Sequence, residues 1–180
     1  MKVLPQNERL ISAGRLAGRT FTHARLWWSI AGVPGRARHR DVIDEYWEML
    51  RFTENAHLIS FIVGVHALHH ERAGTVNFHS LSKELGGAAS NAITVGLKVH
   101  KKIVILRHQA FAHRTDKRTY DDVFVTAGIT GDEILDHASL TLGIADELLR
   151  SGGLPEVSMH DLPELTASQM FSNLRRSNIT

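Results

Sequence analysis

The sequence of 180 residues contains no cysteine, and this absence removes several classes of function at once. Without thiolates the chain has no disulfide framework, no cysteine-ligated metal, no iron–sulfur cluster and no cysteine nucleophile. Apolar residues make up 43% and charged residues 22% of the sequence, so wholesale disorder is excluded as well. A chain of this length is expected to form one compact domain, or one domain with a short appendage.

The sequence also lacks a hydrophobic run long enough to span a bilayer. The longest run, from Leu58 to Leu68, is interrupted by Ser60 and His66. A membrane-spanning helix needs about 20 apolar residues. The first residues do not form the continuous apolar stretch of a signal peptide. We therefore expect a cytoplasmic protein that does not bind a membrane.

The formal net charge of +2 conceals an uneven distribution of charge along the chain. Residues 1–40 carry eight Lys and Arg against one acid, residues 98–118 carry seven against one, and residues 119–165 carry one against ten. This segregation favours a basic surface that binds a polyanion. Solvated helix faces and intramolecular ion pairs would produce the same counts, so both interpretations stay open at this point.

Apolar periodicity of three and four residues predicts an all-α fold, because no segment shows the alternation of a strand. The predicted elements are a helix over 5–30, a basic loop over 35–40, a long helix from Asp41 to about His70, a loop over 71–80, a short helix that Ser80 caps and that stops at Gly86 and Gly87, a helix from Ser90 to about Arg114, a helix from Thr130 to about Arg150, and a last helix or arm over 161–175. Thr130 and Glu133 have the spacing of a capping box. We expect a bundle of about five helices over residues 1–150. Residues 151–180 are expected to form an extension, one short helix packed on the bundle or swapped.

Arg107 and His113 are the first candidate functional pair. On an ideal helix they lie about 120° apart around the axis and about 9 Å apart along it, so they do not touch. A site that uses both needs side-chain reach, local unwinding, or a second copy of the helix across a two-fold axis. An arginine beside a core stripe also requires an anion, which is either an internal carboxylate such as Asp122 or Glu48, or a phosphate.

The run from Leu106 to Asp116 resembles the signature of the HEPN superfamily, in which an arginine, a polar residue and a short spacer precede a histidine. It is most similar to the abortive-infection branch, where an arginine ends a long helix and an Ala-His-Arg-x-Asp run follows. Residues 46–50 and 77–85 resemble that branch too, and the likeness covers about residues 20–150. The resemblance implies a HEPN-like helical bundle that dimerises so that both signatures line one cleft. It also implies a ribonuclease of a toxin or phage-defence type, with an antitoxin or nucleotidyltransferase as partner.

The side chains of this signature suit RNA cleavage without a metal. Histidine transfers protons near neutral pH, and the guanidinium fork matches phosphate oxygens. We expect His113 to transfer a proton, Arg107 to stabilise the developing phosphate charge, and His108 to orient the site. No metal and no cofactor is expected, since Asp116 alone supplies too few oxygen ligands for Mg²⁺. The basic residues expected to contact RNA are Arg114, Lys117 and Arg118. The alternative is that Arg107 pairs internally and His113 caps a helix end.

Two further groups of residues carry alternative functions. His66 and His70 have the i, i+4 spacing of a helical metal site, which would need His100, His137 or Glu71 as a third ligand. A metal-binding bundle is therefore one alternative, and a non-catalytic HEPN-like module that binds RNA or protein is another. The second group is the arginine-rich segment 15–40, which contains a tryptophan pair at positions 27 and 28. It suits base stacking, although such a pair is more often part of a core or an interface.

Overall fold

The computed structural model describes residues 4–72, 74–108, 120–157 and 162–177, and these ranges are helical with short connections and no β-strand. The helices are α1 (Gln6–Ala31), α2 (Val33–Arg38), α3 (Arg40–Glu45), α4 (Trp47–His69), α5 (Phe78–Glu84), α6 (Ser90–Arg107), α7 (Tyr120–Ala127), α8 (Gly131–Ser151) and α9 (Leu162–Ser177). The predicted all-α class is confirmed. The described ranges contain nine helices, so the predicted number of about five is wrong.

Two of the helices that were not predicted, α2 and α3, lie between α1 and α4. The predicted basic loop over 35–40 is wrong, because residues 33–38 form α2 with Pro34 in its first turn, where the missing N–H of proline does no harm. The predicted long helix from Asp41 is divided at Tyr46, whose backbone angles depart from the helical values. Tyr46 N still donates to Val42 O at 2.9 Å, and Leu50 N donates to Tyr46 O at 3.0 Å. The division is therefore a distortion between two helices that follow each other directly.

Helix caps decide where two of the other helices begin. The predicted capping box of α8 is confirmed: Glu133 N donates to Thr130 Oγ1 at 3.2 Å, and Thr130 N donates to Glu133 Oε2 at 3.0 Å. The cap predicted for α5 is wrong, because Asn77 and not Ser80 occupies the N-cap position. The Oδ1 atom of Asn77 accepts a hydrogen bond from Ser80 N at 2.9 Å. Asparagine and serine both suit this position, so composition alone did not separate them.

The core lies where α1, α4, α6 and α8 meet, and α1 packs along both α4 and α8. Phe61 and Ile62 of α4, Ile103 and Leu106 of α6, and Ile134 of α8 are fully buried there. Burial of Leu106 removes the last turn of α6 from solvent on one side. The packing of α4 against α6 therefore fixes the position of the neighbouring Arg107.

The tail helix α9 packs against the α1–α3 end of the bundle. Phe171 is fully buried there in a cluster with Ile30, Ile43 and Leu50, and its ring stacks on that of His39 with centroids 4.1 Å apart. This contact lies at the opposite end of α4 from its last turn, because Leu50 belongs to the first turn of that helix.

Candidate functional site

Two of the predicted site residues, Arg107 and His108, lie at the carboxyl end of α6. Arg107 is the last residue of the helix, and His108 follows at the C-cap position with an exposed side chain. The other predicted site residues, His113, Arg114, Lys117 and Arg118, lie outside the described residues. The structure therefore positions the arginine end of the signature, and the roles of the remaining residues stay predictions.

The side chain of Arg107 is half-buried and meets the last turn of α4. Helix side chains tilt toward the N-terminus, so a long side chain at the end of α6 covers the preceding turn. The Nη1 atom of Arg107 lies 3.3 Å from Nε2 of His66. Glu48, one of the carboxylates considered as a partner, belongs to the first turn of α4. It is about 27 Å from His66 along the helix axis, so it does not reach this site.

The contact between Arg107 and His66 defines the protonation state of the imidazole. A guanidinium only donates hydrogen bonds, so His66 accepts through Nε2 and carries its proton on Nδ1. Burial lowers the pKa of His66, and the positive charge of Arg107 lowers it further. The ring is therefore neutral at pH 7. It holds the guanidinium without neutralising its charge, which a carboxylate would do.

His66 belongs to a group of five imidazoles that we call the histidine cluster: His66 and His69 of α4, His70 directly after α4, His100 of α6 and His137 of α8. The ring centroids of His66 lie 4.7 Å from those of His70 and 5.7 Å from those of His100. The ring of His69 lies 5.5 Å from His100 and 4.9 Å from His137. The cluster therefore extends from the exposed His70 to the fully buried His137.

The buried end of the cluster is poor in hydrogen bonds. Nδ1 of His69 and of His100, and both ring nitrogens of His137, are buried without a hydrogen-bond partner among the described residues. His69 donates through Nε2 to Thr141 Oγ1 at 3.1 Å, since that hydroxyl gives its own proton to the carbonyl of His137 at 2.7 Å. Each unpartnered buried group costs about 1–3 kcal/mol. The unpartnered ring nitrogens of the cluster therefore lower the free energy of unfolding of the domain.

Burial determines the protonation of these three imidazoles. Desolvation, followed by the influence of His137, lowers the pKa of His69 to about 2. Desolvation is also the main cause that lowers the pKa of His100 and of His137 to about 4. Gly96 of α6 makes the room for the rings, because a Cβ at that position would lie 3.2 Å from Cε1 of His69 and 3.4 Å from Cε1 of His137. The buried imidazoles are neutral at pH 7.

The histidine cluster does not form a ready metal site. Within the described ranges, no group of three or more His, Asp or Glu side chains is arranged to hold a metal ion. His66 and His70 stack face to face, with an interplanar angle of 17°. Nε2 of His66 points to the guanidinium of Arg107, so this nitrogen is engaged. The geometry gives the metal-binding alternative no support.

The tryptophan pair packs into the hydrophobic core. Trp27 is 3% exposed and its ring stacks on Phe124 with centroids 6.0 Å apart, while Trp28 is half-buried beside Gly32 and Gly131. Among the arginines of this region, Arg36 pairs with the buried Glu54 at 3.5 Å. The structure therefore favours the core interpretation of the pair over a base-stacking surface.

One face of α4 stays exposed although it is apolar. Phe52, Ile59 and Val63 are 66%, 41% and 53% exposed. Their spacing of seven and four residues places them within about 40° of each other around the helix axis, and His66 and His70 continue the same face. We call Phe52, Ile59 and Val63 the α4 apolar stripe. It leads directly to the contact between His66 and Arg107.

In the described ranges no helix combines the length and the apolarity needed to cross a membrane. Neither protein-family models, nor curated proteins, nor solved structures give a significant match to this chain.

Proposed function

We propose that this chain is a metal-independent endoribonuclease of the HEPN type. The observation that carries the proposal is the state of Arg107. It is a half-buried guanidinium at the end of α6 that a neutral imidazole holds, and no carboxylate of the described residues forms an ion pair with it. The resemblance of residues 106–116 to the HEPN signature supplies the identity of that anion, a phosphate of RNA. We therefore assign Arg107 the role of an electrostatic catalyst.

The proposed reaction is transesterification within the RNA strand. The 2′-oxygen attacks the adjacent phosphorus, the bond from phosphorus to the 5′-oxygen breaks, and the products are a 2′,3′-cyclic phosphate and a 5′-hydroxyl. One group removes the proton of the 2′-hydroxyl, and another gives a proton to the leaving 5′-oxygen. We assign proton transfer to His113 and stabilisation of the phosphorane charge to Arg107. His108 orients the site.

The basic residues after the signature complete the proposed RNA contact. Arg114, Lys117 and Arg118 neutralise backbone phosphates, a contribution that depends on salt concentration and not on base identity. The toxin or phage-defence setting, and the antitoxin or nucleotidyltransferase as partner, follow from the sequence resemblance.

A second copy of the chain is part of the proposal. Arg107 and His113 do not meet on one straight helix, and a two-fold axis brings two signatures into one cleft. The α4 apolar stripe supports this arrangement, because an exposed row of Phe52, Ile59 and Val63 ends at the site itself. Burying the stripe against its own copy would remove this exposed apolar surface from water.

The test is RNA cleavage by the purified chain and by two variants, with EDTA present throughout. We expect His113→Ala to lose about 10²-fold or more in rate, the scale for removal of a general acid or base. Arg107→Ala is expected to lose about 10²–10³-fold, the scale for removal of an oxyanion donor. The controls are Arg150→Ala, an exposed arginine of α8, and His57→Phe, a half-buried histidine of α4 that contacts His23. Both controls should cut RNA at the wild-type rate.

Two results would contradict the proposal. Equal rates for wild type and both variants would show that the signature does not carry the activity. The second result is a wild-type chain that binds RNA but does not cut it, together with an Arg107→Ala variant that binds RNA more weakly. This result would favour the non-catalytic binding module.

A further inference from the structure

Within the proposed ribonuclease, on which this inference rests, we propose that His66 is the positioning residue that holds Arg107 against the RNA phosphate. The two residues are 41 positions apart in sequence and come from different helices. Nε2 of His66 lies 3.3 Å from Nη1 of Arg107, and His66 belongs to the last turn of α4. A guanidinium with one Nη fixed in this way presents its other N–H groups to a ligand in a defined direction.

The environment of His66 keeps its acceptor available to Arg107. The other ring nitrogen, Nδ1, is buried and has no partner among the described residues, so none of these residues competes with Arg107 for the orientation of the ring. His70 stacks on one side of the ring at 4.7 Å, and His100 lies at 5.7 Å with nearly parallel planes. These two neighbours restrict the plane of the imidazole. The arrangement therefore orients Nε2 toward the end of α6.

Protonation of His66 abolishes this function. An imidazolium has two donors and no acceptor, so it cannot bind a guanidinium and instead repels it. The described titratable and charged groups that face His66 are His70, which follows α4 directly, His100 and Arg107 of α6, and His108, which follows α6. All of them are basic, so they favour the neutral ring. We expect the arginine to be held at neutral pH and released in acid.

Three substitutions of His66 separate its acceptor from its shape. His66→Phe keeps a planar ring and removes the acceptor. His66→Gln places an amide oxygen at the position of Nε2, and this oxygen does not titrate near neutral pH. His66→Asn carries its oxygen at the position of Nδ1, too short to reach Arg107. His57→Phe is the matched control, because His57 is a half-buried histidine of the same helix with a hydrogen bond elsewhere.

The first measurement is the pH profile of kcat and KM for RNA cleavage. We expect His66→Phe and His66→Asn to lower kcat by roughly 10–10²-fold, as a misplaced catalytic group does, with a smaller change in KM. His66→Gln should restore most of kcat and should make the acid limb of the profile less steep, because His66 no longer titrates there together with His113. His57→Phe should match wild type. Wild-type kcat in His66→Phe, or an acid limb of unchanged steepness in His66→Gln, would overturn the proposal.

The second measurement does not depend on activity. Nitrogen-15 NMR of the Arg107 guanidinium, assigned by its loss in Arg107→Lys, reports whether rotation about its C–N bonds is restrained. We expect restraint in wild type at pH 7.5 and averaging as the pH is lowered, at pH values where the amide spectrum still shows the folded chain; after assignment this comparison uses the wild-type chain alone. Averaged signals in wild type at pH 7.5 would overturn the proposal.

The outcomes separate this inference from the proposed function. If wild type cuts no RNA, the proposed function fails and the catalytic role of Arg107 fails with it. Restrained NMR signals would then still show that the hydrogen bond between His66 and Arg107 exists. If Arg107→Ala loses activity while His66→Phe does not, only the positioning role fails.

Discussion

Lowering the pH from 7 to 5 should destabilise this protein strongly through the buried part of the histidine cluster. The pKa of His69 is lowered to about 2, and the pKa values of His100 and His137 are lowered to about 4, each from an ordinary value of 6.5. In the unfolded chain the same imidazoles take up protons below pH 6.5, whereas in the folded chain they stay neutral. The unfolded state then binds more protons, so the free energy of unfolding falls as the pH falls.

The size of the effect follows from the width of this pH window. Each pH unit between the unfolded and folded pKa values is worth about 1.4 kcal/mol per group. At pH 5 a single imidazole of this kind has cost about 2 kcal/mol, and the three together have cost up to about 6 kcal/mol. A typical domain is stable by only about 5–15 kcal/mol. Above pH 6.5 the three imidazoles are neutral in both states and do not lower the free energy of unfolding. At pH 5 they lower it by up to this total of about 6 kcal/mol.

The assay is chemical denaturation at pH 7, 6 and 5, with His137→Leu as the diagnostic variant. His137 is 1% exposed, and both of its ring nitrogens lack partners among the described residues. We expect the variant to equal or exceed wild type in stability at pH 7, because an unpartnered polar ring is replaced by an apolar side chain. Its loss of stability per pH unit between pH 6 and 5 should be smaller by about 1.4 kcal/mol. A free energy of unfolding that stays constant from pH 7 to 5, or a variant that keeps the wild-type slope, would refute this account of the cluster.

Three further predictions concern the packing and the capping of the helices. Gly64→Ala should lower the free energy of unfolding by about 1–3 kcal/mol, because its Cβ would overlap a buried side chain of α1. The control Gly143→Ala, on the open face of α8, should raise it by about 0.5–1 kcal/mol. Thermal unfolding compares the two variants, and equal effects would contradict the packing. Phe171→Ala should cost about 3–5 kcal/mol and speed proteolysis of α9, whereas Arg175→Ala on the exposed rim should change both much less. Thr130→Ala should cost about 1 kcal/mol of unfolding free energy through loss of the cap of α8, and an unchanged midpoint would show that this cap is dispensable.

The helices that were predicted well are those whose signals are local. The prediction of a helix over 5–30 corresponds to α1, which ends where Gly32 adopts an extended backbone. The pattern of Thr130 and Glu133 predicted the start of α8. Where two local signals compete, the prediction failed, as in the segment 33–38, whose Pro34 and Gly35 indicated a loop although proline is tolerated in a first turn.

The candidate site was less accessible to sequence reasoning because its contacts are tertiary. The spacing of His66 and His70 indicated a metal pair, but nothing in the sequence shows that His66 faces Arg107, since that contact depends on how α4 packs on α6. The same holds for His100 and His137, which were considered only as third metal ligands. The high number of histidines, 12 in 180 residues, was the one signal of a cluster.

The chemistry of the cut RNA end tests the central claim most directly. The purified wild-type chain is incubated in EDTA with an RNA and with a fully 2′-O-methylated copy of it, and the new ends are identified by mass spectrometry. Attack by the 2′-oxygen, assisted by His113 and Arg107, predicts a 2′,3′-cyclic phosphate and a 5′-hydroxyl from the RNA and no cleavage of the methylated copy. Cleavage of the methylated copy, or activity that EDTA abolishes and Zn²⁺ restores, would contradict the account.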